Sequence, residues 1–452
     1  MYYKTQKFLV LGVSKSGYAV AEYLLRKHAV CYVYEQFDTP KIKKSLEDLL
    51  SLGAVVLKPE NAKESIDNID VLVISPGVPI NHELAVLAKR KGKRVVGELE
   101  FGFLQFTPPT IAVTGTNGKT TTVSMIKAIL DASERRSVLV GNIGVPITSK
   151  LSDCDEETIC IAEVSSFQLE GVNSLCPHIS CILNVAPDHL ERHYTMENYI
   201  YLKKRIFKNQ RESEFTVLNF DDLTVRSFFT ETKGKVVWVS SKEKVDGVYQ
   251  QNGKIYHYDE YVMESEALSL KGEHNLSDAL FAIACAKIIG VETSVIVNEL
   301  TMFRGVKHRI ELVCEKEGVK YYNDSKATNT SSTLSAIKTM GAPTVLILGG
   351  SEKGESYDAL FSDIKTSVVK HVVITGASRY NMLESARRVG VYNVTITPDF
   401  YCAVKIAKMI ARKGDSILLS PACASFDSFS GYEERGEAFC KVVEGIDEEE
   451  IV

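Results

Sequence analysis

Short apolar runs recur along the whole chain, and stretches with an apolar residue at every third or fourth position lie between them. Residues 8–11, 111–113 and 345–348 are examples of the runs. Runs of this length fit buried strands, and the periodic stretches are typical of helices with one buried face. Because strands and helices alternate along the chain, the pattern predicts an α/β protein built on parallel sheets.

The run at residues 111–113 ends in a glycine-rich loop, Gly115-Thr-Asn-Gly-Lys-Thr120, and a helical pattern follows it. Glycines let backbone N–H groups point at phosphates, and the start of a helix adds positive dipole. The lysine and the threonine hydroxyl can reach phosphates and Mg²⁺. The common phosphate-loop pattern has its first glycine where this chain has Val113, and a glycine appears instead at Gly115. We predict a nucleotide-triphosphate site with the candidate contacts Gly115, Thr116, Asn117, Gly118, Lys119, Thr120 and Thr121.

The first hundred residues predict a dinucleotide-binding layout. Residues 8–25 read as strand, glycine turn and helix, and residues 31–35 read as a second strand that ends in an acid. Ser14 stands where that layout has its middle glycine, and its Cβ would crowd a pyrophosphate, which disfavours a nicotinamide oxidoreductase. Residues 70–74 lead to Ser75-Pro-Gly77 at a strand end, where open parallel sheets bind ligands; a plain turn is the alternative. Residues 95–100 are the last strand-like run of this region.

Two polar side chains follow the phosphate loop at turns and strand ends. Residues 158–162 form a buried run that delivers Glu163. A carboxylate at a strand exit beside a phosphate loop suits a Mg²⁺ contact, and an acid at a helix start is the plainer alternative. Asn142, in a glycine turn, offers another polar side chain to a ligand.

A third buried run, residues 181–183, ends in Asn184 and continues to Asp188 and His189. We expect His189 to lie where this strand meets the ligand-binding edge of the sheet. We expect His193, four residues further on, to lie at the surface.

Two adjacent lysines, Lys203 and Lys204, lie in the helical pattern that follows. A lysine on such a helix is ordinarily a solvated cation, and an exposed basic face is the obvious interpretation. The residues alone do not single out either lysine.

The last part of the chain repeats the strand-then-loop pattern, which predicts a third α/β region with a parallel core. Two polar runs, residues 323–329 and 420–436, accompany it. A capped helix start is the plainer interpretation of the first of these runs.

Length and composition limit the kinds of protein that this chain can be. The 452 residues exceed what one hydrophobic core normally serves, and we divide them into domains at 1–100, 101–304 and 305–452. A net charge of -5 gives no global electrostatic footprint for nucleic acid. No apolar stretch approaches membrane-spanning length, so we expect a cytoplasmic protein without membrane insertion. The ten cysteines include no C-x-x-C pair and fit reduced thiols.

Several motifs resemble those of the Mur ligases and the related folylpolyglutamate synthases, which are ATP-dependent amide ligases. The motifs occur in the same order here: Gly115-Thr-Asn-Gly-Lys-Thr120, Glu163 after a strand, Asn184-x-x-x-Asp188-His189, Lys203-x-x-Ile-Phe207 and Gly272-x-His-Asn275. This chain has Asp278 where the family has a second asparagine three residues after the first. The Rossmann-like first domain favours the Mur ligases, because the synthases lack it.

Residues 420–436 resemble the terminal signature of the Mur ligases that add D-glutamate, and the Asp-Asn-Pro-Arg type of motif of the lysine- or diaminopimelate-adding members is absent. The resemblance spans essentially the whole chain. It implies a Rossmann-like N-terminal domain that holds UDP, a central phosphate-loop domain and a Rossmann-like C-terminal domain that holds the amino acid. It also implies ATP-dependent addition of D-glutamate to UDP-N-acetylmuramoyl-L-alanine through an acyl phosphate, a step of peptidoglycan precursor synthesis.

The resemblance further implies ATP, two Mg²⁺ ions, a lysine carbamylated by CO₂ at Lys203, and a monomer. The catalytic and metal-binding residues that it implies are Lys119, Thr120, Glu163, His189 and Lys203. The further nucleotide contacts are Asn275, Arg309 and Asp324. The contacts to the UDP and acyl substrate are Ser14, Ser16, Glu35, Gln36, Ser75, Pro76, Gly77, Asn142 and His189. The contacts to D-glutamate are Lys326, Thr328, Lys353, Ser425 and Tyr432.

Other functions stay open at this point. Another Mur ligase or a folylpolyglutamate-type ligase would share the loop and differ in substrate. A regulatory nucleotide-binding switch would use the same loop without an amino-acid pocket, and a nicotinamide oxidoreductase would bind NAD(H). Amino-acid-dependent ATP turnover separates a ligase from a switch.

Overall fold

The computed structural model describes residues 3–37, 39–106, 108–351 and 356–445. They form two compact units, one of residues 1–269 with 275–303 and one of residues 270–274 with 304–452. The first unit contains two sheets and the second unit contains one. The α/β class with largely parallel sheets, predicted from the alternating pattern, is confirmed.

The first sheet has five parallel strands in the order β3-β2-β1-β4-β5. Its elements are β1 (Lys7–Leu11), α1 (Lys15–Arg26), β2 (Val30–Tyr34), α2 (Pro40–Ser51), β3 (Val55–Val56), α3 (Pro59–Ser65), β4 (Val71–Ile74), α4 (Glu83–Arg90), β5 (Arg94–Gly97) and α5 (Glu98–Phe103). Helices cover both faces, so the strands are apolar along their length. The strand order reverses between β1 and β4, and the loops after these two strands flank the crevice that such a reversal leaves.

The second sheet has nine strands in the order β14-β13-β12-β11-β10-β9-β6-β8-β7, parallel except for the hairpins at β12–β14. Its elements are β6 (Thr110–Thr114), α6 (Lys119–Ala132), β7 (Ser137–Gly141), β8 (Ile159–Glu163), α7 (Ser166–Glu170), β9 (Ile179–Ile182), α8 (Leu190–His193), α9 (Met196–Lys204), β10 (Phe215–Asn219), α10 (Leu223–Arg226), β11 (Lys235–Ser240), β12 (Gly247–Gln251), β13 (Lys254–His257), β14 (Glu260–Glu264), α11 (Glu273–Ile289) and α12 (Thr293–Met302). Because β6 lies between β8 and β9, the loops after these three strands are neighbours.

The third sheet has six strands in the order β15-β16-β20-β17-β18-β19, and only β15 is antiparallel to its neighbour. Its elements are β15 (Glu311–Lys316), β16 (Val319–Asn323), α13 (Thr330–Thr339), β17 (Thr344–Gly349), α14 (Asp358–Lys365), β18 (Val369–Thr375), α15 (Arg379–Val389), β19 (Val394–Ile396), α16 (Phe400–Ile410), β20 (Ser416–Leu419) and α17 (Tyr432–Glu444). The loops after β16, β20 and β17 are therefore neighbours. Among the helices that the structure describes, none has the length and apolar character needed to cross a membrane.

One strand is shorter than its apolar pattern indicated. The strand-like run at residues 95–100 stops at Gly97, and helix α5 begins at Glu98. The Glu98 carboxylate is buried and accepts hydrogen bonds from the backbone N–H (3.2 Å) and the hydroxyl (2.9 Å) of Thr148. Glu100 likewise accepts from the backbone N–H groups of Asn173 and Ser174. These distant partners hold the two acids in a helical turn.

Burial raises the pKa of Glu98 from an ordinary 4.5 to about 7, although the Thr148 hydrogen bonds oppose the shift. The folded state therefore binds a proton that the unfolded state releases, and its stability falls as pH rises from 4.5 to 7. The loss is about 1.4 kcal/mol per pH unit across that window. Glu98→Gln, which carries no titratable group, should lack this loss, so the melting temperature of the wild type should fall relative to that of the variant between pH 5 and pH 7 and change no further above it. If the melting temperatures of the two proteins change with pH in the same way, the raised pKa is not that of Glu98.

Candidate active site

The glycine-rich loop joins β6 to α6, as the sequence predicted. Gly118 lies immediately before the helix with φ +88°, in the left-handed region, and a Cβ there would overlap the Asp278 carboxylate. Asn184, at the end of the neighbouring β9, accepts hydrogen bonds from the backbone N–H groups of Thr116 (3.1 Å) and Asn117 (2.8 Å). Only glycine fits at 118 without strain, and Asn184 fixes the shape of the loop.

Sequence reasoning quoted Asn184 and Asp278 only as motif positions. Asp278 Oδ1 accepts a hydrogen bond from the Thr122 hydroxyl at 3.3 Å and so ties α11 to α6 directly below the loop. An asparagine amide oxygen could accept the same bond, so the contact is compatible with either residue at the position where the resemblance leads one to expect asparagine. Asn275 lies three residues earlier on the same helix and is half-buried.

Thr120, Glu163 and Asn142 come together beside the loop. Val113 of β6 pairs with Glu163 of β8, so the carboxylate lies level with the start of the loop. Glu163 is buried, and it accepts hydrogen bonds at 2.8 Å from the Thr120 hydroxyl and at 2.8 Å from Asn142 Nδ2. Hydroxyl and carboxylate oxygens are the donors that Mg²⁺ prefers.

Within the described ranges, no group of three or more His, Cys, Asp or Glu side chains is arranged to hold a metal ion. A Mg²⁺ ion at Thr120 and Glu163 would therefore need the rest of its ligands from phosphate oxygens and water, which is how Mg²⁺ is ordinarily bound beside nucleotides. The Thr121 hydroxyl, in the first turn of α6, is buried and has no hydrogen-bond partner within the described residues. A nucleotide phosphate at the helix start would satisfy it, so the residues fit the predicted ligand.

Two lysines meet at one carbonyl of the loop. Lys119 Nζ and Lys203 Nζ each donate to the Gly115 oxygen at 2.8 Å, although Lys203 lies 88 residues away in sequence. Lys203 is fully buried, and this burial, together with the Lys119 ammonium, holds the pKa of Lys203 well below its usual range. Lys204 instead pairs with Glu231 at the surface, at 2.7 Å. The tertiary structure thus distinguishes two lysines that the residues alone left open and that only the motif resemblance had separated.

His189 has φ +54°, and its ring lies 4.7 Å from that of Phe167. The prediction that His193 lies at the surface is wrong. His193 is buried, its Nε2 lies 2.9 Å from the Ser166 hydroxyl, and its ring stacks on Tyr199. The Tyr199 hydroxyl lies 3.2 Å from the hydroxyl of Thr116. The single turn of α8 directs His193 inward, and a four-residue spacing in the sequence could not indicate that direction.

The loops after β1 and β4 converge in the first sheet. The Ser75 hydroxyl is buried and donates to the Gly12 carbonyl at 2.7 Å. The Glu35 carboxylate accepts from the backbone N–H groups of Val13 and Gln36, and the Gln36 amide lies 2.9 Å from His82 Nε2. The other predicted contacts lie in these loops or in the first turn of α1 and are exposed or half-buried, namely Ser14, Ser16, Pro76 and Gly77.

In the second unit, Asp324 follows β16 and is buried. It accepts hydrogen bonds from the Ser420 hydroxyl (2.6 Å) and the Ile310 N–H (3.2 Å). Burial raises the pKa of Asp324 to about 7, although Ser420 and Arg309 oppose the shift. Sequence reasoning missed the buried Arg435, whose guanidinium donates to the backbone carbonyls of Ser325 (2.9 Å) and Cys423 (3.0 Å). This guanidinium joins the loops after β16 and β20.

Four of the predicted amino-acid contacts lie on these loops or at the start of α17. Lys326 Nζ donates to the Tyr432 hydroxyl at 3.2 Å and lies 5.0 Å from the centre of its ring. Thr328 is half-buried beside them, and Ser425 is buried after β20. Lys353 lies outside the described residues.

Comparison with known proteins bears on all three regions. Residues 6–97 match the model of the Mur ligase MurD-like N-terminal domain, residues 113–286 that of the Mur ligase middle domain, and residues 308–423 that of the Mur ligase glutamate ligase domain. The UDP-N-acetylmuramoylalanine–D-glutamate ligase of Thermoanaerobacter sp. (strain X514) is 40% identical over 97% of this chain and 98% of its own. The enzyme of the same name from Clostridioides difficile (strain 630) is 39% identical over 96% and 98%.

Solved structures of more distant relatives share the fold. The UDP-N-acetylmuramate-alanine ligase MurC of Thermotoga maritima is 17% identical, with a TM-score of 0.63 over 98% of this chain and 100% of its own. The MurF ligase of Thermotoga maritima, solved in complex with ADP, is 16% identical, with a TM-score of 0.60 over 99% and 100%.

A pair of glycine substitutions tests the loop geometry. Gly118→Ala should lower the free energy of unfolding by roughly 1–2 kcal/mol, because alanine must adopt a left-handed backbone conformation there and its Cβ overlaps the Asp278 carboxylate. It should also abolish binding of a fluorescent triphosphate nucleotide. Gly77→Ala is the matched control, since nothing lies within 4 Å of a Cβ there. Equal melting temperatures and equal nucleotide affinities for the two variants would argue against this geometry.

Proposed function

The chain belongs to the Mur ligase family, and we propose that it is an ATP-dependent ligase that joins D-glutamate to UDP-N-acetylmuramoyl-L-alanine. The observation that carries this proposal is the similarity over almost the whole length to relatives named for that reaction. The contacts within the first unit supply the groups that a phosphoryl transfer needs. We retain the domain boundaries at residues 100 and 304 and a monomeric state as parts of the proposal.

Joining a carboxylate to an amine in water requires an activated carboxylate. ATP supplies the phosphoryl group that converts the L-alanyl carboxylate into an acyl phosphate, and the D-glutamate amine then displaces phosphate. Phosphoryl transfer depends on alignment and charge neutralisation more than on covalent help from the protein. Lys119 and the loop N–H groups would neutralise and orient the phosphates. Thr120 and Glu163 would hold Mg²⁺, which offsets phosphate charge.

The acyl substrate and the amino acid would bind at other strand ends. Asn142 and His189 would face the acyl group, and the crevice between β1 and β4 would hold UDP through Glu35, Gln36 and the neighbouring serines. In the second unit, the cation of Lys326 and the hydroxyl of Ser425 suit a dicarboxylate amino acid. The proposed nucleotide contacts of that unit are Arg309 and Asp324.

Lys203 is proposed to carry a carbamate. Carbamylation requires a neutral amine: the nitrogen lone pair attacks the carbon of CO₂, an N–C bond forms as one C–O π bond opens onto oxygen, and a base takes the nitrogen proton and passes it to solvent. The lowered pKa of Lys203 favours the neutral amine. The product is an anionic oxygen donor, which suits a second Mg²⁺ ion that an ammonium would repel. His189 would share that ion.

The decisive experiment measures phosphate release from ATP with UDP-N-acetylmuramoyl-L-alanine and a panel of D- and L-amino acids. We expect turnover with D-glutamate and none with L-glutamate. Lys119→Ala should lower turnover at least 10³-fold while leaving the melting temperature unchanged, because it removes the charge that meets the transferring phosphoryl group. Near-normal turnover in a folded Lys119→Ala variant, or equal turnover with another amino acid, would sink the proposal.

A matched pair of lysine variants tests the carbamate. Lys203→Ala should be nearly inactive, and a short-chain carboxylic acid in the buffer should restore part of its activity by supplying the missing oxygens. Lys204→Ala, which loses an ion pair with Glu231 and a cation–π contact with Phe228, should behave like the wild type. A carbonyl resonance from ¹³CO₂ should appear in the wild type and be absent in Lys203→Ala. If Lys204→Ala is instead the variant that loses activity and is rescued by the acid, the carbamate lies on Lys204 and the proposed assignment to Lys203 is wrong.

A further inference from the structure

Arg192 makes an ion pair between two helices close to His189. Its guanidinium meets the Glu170 carboxylate in a bidentate geometry, with Nε–Oε1 at 3.0 Å and Nη2–Oε2 at 2.6 Å. Both side chains are largely buried, with exposed fractions of 15% and 9%. A two-point pair of this kind fixes the plane of the guanidinium, which a single lysine contact could not do.

The same guanidinium reaches the first sheet. Arg192 Nη2 donates to the Val78 carbonyl at 3.2 Å, and Val78 follows directly on the Ser75-Pro-Gly77 loop. Val78 also packs on the glycine turn after β1, since a Cβ on Gly12 would lie only 2.8 Å from Val78 Cγ2. Arg192 thereby attaches the two loops that flank the proposed UDP crevice to α7 of the second sheet.

The guanidinium also lies over the Phe167 ring, which in turn contacts His189. The Arg192 Cζ atom lies 4.4 Å from the centre of the Phe167 ring, and that ring lies 4.7 Å from the His189 ring. Arg192, Phe167 and His189 thus form a packed row, in which a cation covers an aromatic ring that in turn supports the imidazole.

Few other contacts orient the His189 ring. Its nitrogens lie 3.6 Å from Asp188 and 3.5 Å from Glu191, both beyond hydrogen-bond length, and 37% of the side chain is exposed. Its backbone is in the left-handed region, which costs about 1–2 kcal/mol for a residue with a Cβ. Contact with the Phe167 ring therefore constrains where the imidazole points.

We propose that Arg192 is a positioning residue that couples the UDP-binding loop to His189, so that the two sites keep one spacing along the acyl substrate. This inference rests on the proposed function. Arg192 would act through two separable contacts, the Val78 carbonyl for binding of the UDP moiety and the Phe167 ring for the orientation of His189. A purely structural ion pair would change stability without separating these effects.

Two variants separate the contacts. Arg192→Met removes both, and it should raise the KM for UDP-N-acetylmuramoyl-L-alanine about tenfold and lower kcat about tenfold, because small displacements of aligned groups are costly. Phe167→Leu keeps the Val78 hydrogen bond, so it should lower kcat while the KM for that substrate stays within about twofold. The KM for ATP should not change in either variant, because the phosphate loop is intact.

The controls distinguish the possible failures. Arg388→Met, which breaks a similar bidentate pair with Asp358 on the exposed surface, should retain wild-type kinetics. Arg192→Lys keeps the positive charge but cannot make the two-point contact with Glu170. Compared with Arg192→Met, it should have a higher kcat and nearly the same low affinity for UDP, measured by calorimetry. Wild-type kinetics in Arg192→Met, or an equal rise in both KM values, overturns the coupling. If Arg192→Met does not fold, the same comparison of kcat and of the two KM values is made with Arg192→Lys. A wild-type enzyme that releases no phosphate with D-glutamate overturns the proposed function instead.

Discussion

Two ammonium groups share one backbone carbonyl at the centre of the first unit. Lys119 and Lys203 both donate to Gly115, and one of them has no access to water. Like charges in such a site repel and are poorly solvated, so the neutral form of Lys203 is favoured. The loop is consequently arranged around positive charge that an anion would relieve. Hydrogen bonds with neighbouring side chains hold the loop in this shape. Asn184, for example, accepts hydrogen bonds from the backbone N–H groups of Thr116 and Asn117.

Strand order makes this arrangement possible. In the second sheet β6 lies between β8 and β9, and so the phosphate loop, Glu163 and Asn184 emerge at neighbouring positions on one edge. The first sheet uses the reversal between β1 and β4 in the same way, and the third uses the adjacency of β16, β20 and β17. Each sheet thus presents polar loops from a rigid apolar core, which is why chemistry concentrates at these edges. Arg192 and Arg435 then fix these loops by donating hydrogen bonds to their backbone carbonyls. The loop side chains stay available to a substrate.

Buried ionisable groups mark the places where polar function and folding compete. Glu98 and Asp324 are buried carboxyls with raised pKa values, and hydrogen bonds from Thr148 and Ser420 offset only part of the cost of burial. Arg435 is buried among backbone carbonyl oxygens and the Ser325 hydroxyl. Such groups are costly to desolvate, and they hold strand-exit loops that apolar packing alone would leave without a fixed direction.

The sequence by itself determined the α/β class, the strand–loop–helix at residues 110–132, and the residue types that end each central strand, because these depend on local periodicity and on turn chemistry. Local pattern alone did not separate Lys203 from Lys204, although the motif resemblance selected Lys203; it put His193 at the surface, and it carried a strand pattern past Gly97. In each case the outcome depends on partners far away in the chain: Gly115 for Lys203, Ser166 and Tyr199 for His193, and Thr148 for Glu98. Adjacent residues share the same local pattern, and burial is decided by what the rest of the fold brings against them.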